Sequence, residues 1–147
     1  MATFAGGDKD CGFLIDVLEG RWRNAMELAA DHLLARSNTK GVVQLGLATI
    51  ARHQGSPDTA WELIRQAFPN GPDTQPGDCV LVVATALQRL AVQMAIDVND
   101  LSSARDWLEA HARWLDWSGT IIGRADQLLL WARLHLARDD GPRARRA

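Results

Sequence analysis

Four times along this chain a residue that tolerates a left-handed backbone stands five positions before an alanine: Gly20 and Ala25, Gly55 and Ala60, Asn99 and Ala104, Asp139 and Ala144. Glycine and asparagine end helices by taking the left-handed position just past the last turn. Alanine suits the point where two antiparallel helices approach closely beside their connection, because a larger side chain would push them apart. Each pair is preceded by a helix-like apolar stretch, and all but the last are followed by one. A chain written this way folds as a row of helix–turn–helix units, and such units stack on their neighbours.

The stretches between the turns carry helical periodicity. Cys11 to Glu19 places Phe13, Leu14, Val17 and Leu18 on one face, and Arg21 to Arg36 follows with Ala25, Leu28, Ala29, His32 and Leu33 inward. Val42 to Gln54 turns Val43, Leu47, Ile50 and Ala51 inward and ends at Gly55. Ser56 caps the next helix, Pro57 occupies its first turn, and Ala60, Trp61, Ile64 and Ala67 form its inner face. Pro69 to Asp78, dense in turn formers, is the one long loop. Asp78 is the expected N-cap of Cys79–Val98, which is apolar nearly all round and so should be the most buried helix. Leu101–Trp117 and Ile121–Arg138 complete seven helices, and Pro142 opens an eighth. Alternation of β-branched with polar residues is nearly absent, so strands are not expected.

The expectation is therefore an all-α fold and one domain over residues 1–147, with 1–9 flexible and 69–78 a loop between repeats. The spacings between the signature alanines are 35, 44 and 40 residues. Tetratricopeptide units repeat at ~34 and other helical pairs at ~40–47. The expected architecture is a tetratricopeptide-like superhelical stack of about seven to eight antiparallel helices.

Charge and composition narrow the partners. A net charge of −2 gives no general attraction to nucleic acid or to an anionic membrane. Arg138, Arg143, Arg145 and Arg146 sit among Asp139 and Asp140 and suit the negative pole of a last helix. The longest apolar stretch, Cys79–Leu87, falls far short of the ~20 residues of a membrane span, and the start of the chain lacks the pattern of a signal peptide. Cys11 and Cys79 are far apart and form no CxxC, which suits a reducing, cytoplasmic setting.

The segment Leu101–Arg138 resembles a known family. Ala104-Arg105-x-Trp107-Leu108, Glu109-Ala110-His111, Arg113-Trp114-Leu115-x-Trp117-Ser118-Gly119, Gly123-Arg124-Ala125 and Leu130-Trp131-Ala132-Arg133 are similar to the C-terminal tetratricopeptide-like region of the large ATP-binding LuxR-type (MalT-like) transcriptional regulators. The resemblance covers about a quarter of the chain closely. It implies a sensor or scaffold region that binds an inducer or a partner protein. The phosphate loop GxxxxGK[ST] is missing, and nothing after the repeats reads as a helix-turn-helix DNA reader. The resemblance thus implies either a piece of a larger regulator or a stand-alone relative.

Two groups of residues are candidates for a site. Arg124, Gln127, Trp131 and His135 share one face of the seventh helix, and Arg89 and Gln93 form a matching patch on the fifth. First helices of such pairs line the concave groove, where these side chains would grip a carboxylate, a phosphate or a peptide end. Trp107, His111, Trp114 and Trp117, on one helix of a chain with six tryptophans and no tyrosine, make a weaker candidate for an aromatic platform. The more economical reading of those tryptophans is as filling between helices. The histidines have no metal spacing, no nucleophile sits on a sharp turn beside a base, and no cofactor motif is present. The functional expectation is a non-catalytic module that binds a small-molecule effector, a protein or a peptide. The alternatives are a pure interaction adaptor and a small all-α enzyme whose site is drawn from several helices. A truncated last repeat would leave Ala132 and Leu136 without a covering helix, which favours homodimerisation through the terminal repeats.

Overall fold

The computed structural model describes the backbone of residues 7–35 and 40–144 and the side chains of 12–30 and 40–138. Among these it contains seven α-helices and no strand: α1 (Gly7–Leu18), α2 (Trp22–Ala35), α3 (Lys40–His53), α4 (Pro57–Ala67), α5 (Leu81–Asp97), α6 (Leu101–Ser118) and α7 (Arg124–Ala144). A short 3₁₀ turn, Gly71–Asp73, lies in the loop before α5. The fold is all-α. The chain divides into two compact units, Met1–Ala67 and Phe68–Ala147. The expectations placed on residues 1–6 and on the side chains of Cys11, His32, Leu33, Asp139 and Arg143 to Arg146 lie outside the described residues.

The first three turn signatures are one joint built three times. Gly20, Gly55 and Asn99 have φ of +75°, +73° and +59°. The next residue's amide reaches back to a carbonyl of the preceding helix: Arg21 to Asp16 (2.8 Å), Ser56 to Ala51 (2.9 Å) and Asp100 to Ala95 (2.8 Å). Such a bond satisfies a carbonyl that the helix end would leave orphaned. Ala25, Ala60 and Ala104 then donate the first helical bonds to Arg21, Ser56 and Asp100. This explains the interval of five, since the alanine is the first residue whose amide closes the new helix. All three alanines are fully buried, as close approach of the paired helices requires.

Several boundaries differ from the periodicity. The fourth signature is not a turn, because α7 continues through Asp139 and Pro142 to Ala144. Ile121 and Ile122 precede α7 instead of opening it, and Gly123 has φ +93°. Asp78 does not cap α5, whose N-cap is Val80 without a side-chain bond. The Asp78 carboxylate instead accepts from the Gln75 amide at 3.3 Å and folds the loop on itself. Residues 7–9 belong to α1.

In the first unit Phe13, Val17, Ala25, Ala29, Val43 and Ile50 form the core, and α1, α2 and α3 all touch one another. In the second, α5 contacts both α6 and α7 and, among the described residues, carries the most buried side chains of any helix, nine from Val83 to Ala95. Phe68 makes edge-to-face contacts with Trp107 (5.4 Å) and Trp114 (6.4 Å), which ties the start of this unit to α6. Among the described residues no helix is long and apolar enough to cross a membrane.

Candidate functional site

The aromatic platform expected on α6 does not form as an exposed surface. Trp107, His111 and Trp114 are buried, and Trp117 alone of the four is exposed. The reason is the packing of α6 against α5, α7 and the loop before α5. The Trp114 indole N–H donates to the Thr74 carbonyl at 3.3 Å, and Arg113 Nη2 donates to the Pro72 carbonyl at 2.7 Å. Trp107 and Trp114 fill the interior, and Trp114 and Arg113 pin the loop. The two tryptophans have no face to offer a ligand.

The polar groove residues are brought partly together by the contact of α5 with α7. Arg89 on α5 pairs with Asp126 on α7. Arg124 at the start of α7 reaches back to α6, with Nη1 2.7 Å from Asp116 Oδ1, and its Nε donates to the Thr120 carbonyl at 3.3 Å. Both cations of the expected anion grip are thus neutralised by carboxylates of the same unit. An incoming carboxylate or phosphate would have to displace them. Further along α7, Trp131 and His135 stack on each other with centroids 5.9 Å apart. Gln93 and Gln127 are half-buried.

Beneath the ion pairs lies His111, a fully buried side chain. Its Nδ1 is 3.3 Å from Gln88 Oε1, and Nε2 has no hydrogen-bond partner of good geometry. Burial pushes its pKa down from 6.5 to about 4, and the charges of Arg89 and Arg124 act in the same direction. The Asp126 carboxylate and the Gly123 backbone oppose the shift. The ring is therefore neutral at pH 7, and its burial leaves no open side toward solvent. Among the described residues no three His, Cys, Asp or Glu side chains converge as a metal site would require.

Sequence spacing did not reach Gln88, Asp116, Thr120 or Asp126. Asp126 lies 37 positions from Arg89, close to one repeat interval, which is the only trace of that pairing in the sequence. The largest departure from the expected groove is on the other side of α7. Leu130 and Leu134 are buried, whereas Leu128 (70% exposed), Leu129 (54%) and Leu136 (64%) point away from the unit. Ala125 and Ala132 are exposed beside them. The helix has two apolar faces, and only one is covered among the described residues. No family model matches the chain, and no curated protein or solved structure is similar to it.

Proposed function

We propose that this chain is a non-catalytic, partner-binding module of tetratricopeptide-like helical hairpins, with the outer face of α7 as its docking surface. The observation that carries the reading is the exposed strip Ala125, Leu128, Leu129, Ala132 and Leu136, opposite the buried Leu130 and Leu134. Large exposed apolar patches on otherwise ordinary surfaces mark interaction sites. The repeat reading is supported by the three similar turn joints and, within each unit, by one contact between successive first helices, α1 with α3 and α5 with α7. The likeness of Ala104–Arg133 to the sensor region of LuxR-type regulators favours a place in a cytoplasmic regulatory assembly.

A polypeptide fits this surface better than an anionic effector fits the groove. Arg89 and Arg124 are already engaged by Asp126 and Asp116, and the exposed face of α7 is apolar and helical in spacing. Helical partners dock through such i, i+3, i+4, i+7 anchors.

The test is a photo-crosslinking amino acid placed at Leu129 or Leu136 in cells, with Val98, exposed elsewhere, as the control. Polypeptide adducts at 129 and 136 and none at 98 are expected. Absence of adducts at both α7 positions overturns the reading. So does a purified protein that carries a small molecule by native mass spectrometry and loses it on Arg124→Ala.

A further inference from the structure

We infer that the occupant of the outer face of α7 is α7 of a second copy of this chain, packed antiparallel about a two-fold axis. The inference rests on the partner-binding reading and names its partner.

The exposed residues follow a heptad seam. Ala125, Leu129, Ala132 and Leu136 are spaced four, three and four apart, the rhythm that keeps one helix stripe facing another. Large and small residues alternate along it. In a parallel pair like would meet like, giving a wide layer of two leucines and then a thin layer of two alanines. In an antiparallel pair centred between Leu129 and Ala132, Leu129 meets Ala132 of the partner subunit and Leu136 meets Ala125 of the partner subunit. Every layer then holds one leucine and one alanine, so the layers have equal volume and the helices approach evenly.

The flanks of the seam carry the second argument. Asp126 and Arg133 stand seven residues apart on one flank, and both are exposed. Antiparallel helices bring the same flank of each chain together. In the register set by the leucines, Asp126 of each chain lies within ~3 Å along the axis of the partner's Arg133, at 1.5 Å of rise per residue. The two-fold axis makes this ion pair twice. Arg133 makes no ion pair among the described residues, while Asp126 would sit between its own Arg89 and the incoming guanidinium. The other flank, Leu128 and His135, adds apolar and aromatic surface. A parallel pair would instead set Arg133 beside the partner's Leu128 and leave Asp126 without a cation across the interface.

The inference is tested by sedimentation equilibrium of the purified chain. A reversible dimer is expected, with Leu129→Glu and, separately, Leu136→Glu giving monomers of unchanged helicity. Arg133→Asp should weaken the dimer about tenfold, since ion pairs made twice become repulsions made twice, and adding Asp126→Arg in the same chain should restore it. Orientation is read from disulfides on a Cys11→Ser, Cys79→Ser background: a mixture of Leu129→Cys and Ala132→Cys chains should crosslink to each other faster than either crosslinks to itself. A chain monomeric at about 100 µM overturns the inference, because a specific dimer should then be well above its dissociation constant. A dimer indifferent to both glutamate substitutions, or faster self-crosslinking at 129, overturns it too. If adducts at 129 in cells contain a different polypeptide and the pure chain is monomeric, this inference fails while the partner-binding reading stands. If no adduct forms at all, both fail.

Discussion

The imidazole of His111 is held by Gln88 through Nδ1 at 3.3 Å, while its other nitrogen finds no hydrogen bond in the interior of the second unit. Burial and the nearby guanidinium groups of Arg89 and Arg124 keep the ring uncharged down to a pKa of about 4. In the unfolded chain the same ring takes up a proton near 6.5. Between those values the unfolded state binds more protons than the folded one, so stability rises with pH across this window and is lost on acidification. The loss approaches 1.4 kcal/mol per pH unit well inside the window, on the order of 3 kcal/mol in all. Urea unfolding at pH 7, 5.5 and 4.5 should show this slope for the second unit. His111→Gln, which keeps a polar group and removes the titration, should flatten it.

The ring of Phe13 covers Gly46 so closely that a Cβ there would lie 2.3 Å from Cζ and 3.1 Å from Val17 Cγ2. Gly46 lies inside α3, where alanine would by propensity favour the helix by about 1 kcal/mol. The collision with a buried, rigid ring outweighs that gain. Gly46→Ala should destabilise the first unit by about 1–3 kcal/mol, the usual range for overpacking. Chemical denaturation checks the sign. Combining it with Phe13→Leu should recover part of the loss, because the shorter side chain vacates the site of contact.

The loop from Pro69 to Asp78 is fastened to α6 by two bonds, Trp114 to the Thr74 carbonyl and Arg113 to the Pro72 carbonyl. Trp114→Phe removes the indole donor and leaves a buried carbonyl and a small void. It should cost about 2–3 kcal/mol as the sum of an unsatisfied group and a partial cavity. Arg113→Ala, at an exposed position, should cost under about 1 kcal/mol. Both should speed amide exchange and proteolytic cleavage within 69–78, which separates loop release from global unfolding. An Arg113→Ala loop as protected as the wild type would show that Trp114 alone fastens it.

How far the sequence could be read depended on range. The turn joints were legible because everything they use is local: a left-handed residue, its neighbour's amide, and an alanine four residues further on. The interior role of Trp107 and Trp114 follows from Phe68 and the loop carbonyls that meet them, and neither partner lies within a helical turn. Likewise, Arg89 and Arg124 read as free cations from their own helices, and only the packing of α5, α6 and α7 supplies Asp126 and Asp116. Helical periodicity also places α7 ambiguously. A helix apolar on two faces gives no preferred inward side until its neighbours decide that Leu130 and Leu134, and not Leu129 and Leu136, are covered. Asp139 matches the turn pattern locally, yet α7 runs on through it to Ala144.

The three turn joints differ in one atom group that can be tested. Asn99 adopts φ +59° where Gly20 and Gly55 stand in the other two joints. A side chain in the left-handed region costs roughly 1–2 kcal/mol unless, like asparagine, it can bond locally. Glycine carries no such penalty but loses more entropy on folding. Asn99→Gly should therefore be close to neutral or slightly stabilising, and Asn99→Ala should cost about 1 kcal/mol. Gly55→Ala should cost about as much, because the open space at that Cβ leaves only the backbone term. Ala104→Leu tests the other half of the joint. Its side chain is fully buried between α5 and α6, so the added carbons should force the helices apart and destabilise by about 1–3 kcal/mol. Thermal unfolding of the four variants checks the set. If Asn99→Ala is neutral while Ala104→Leu is not, the repeated pattern marks helix approach alone, and the left-handed cap contributes nothing to its stability.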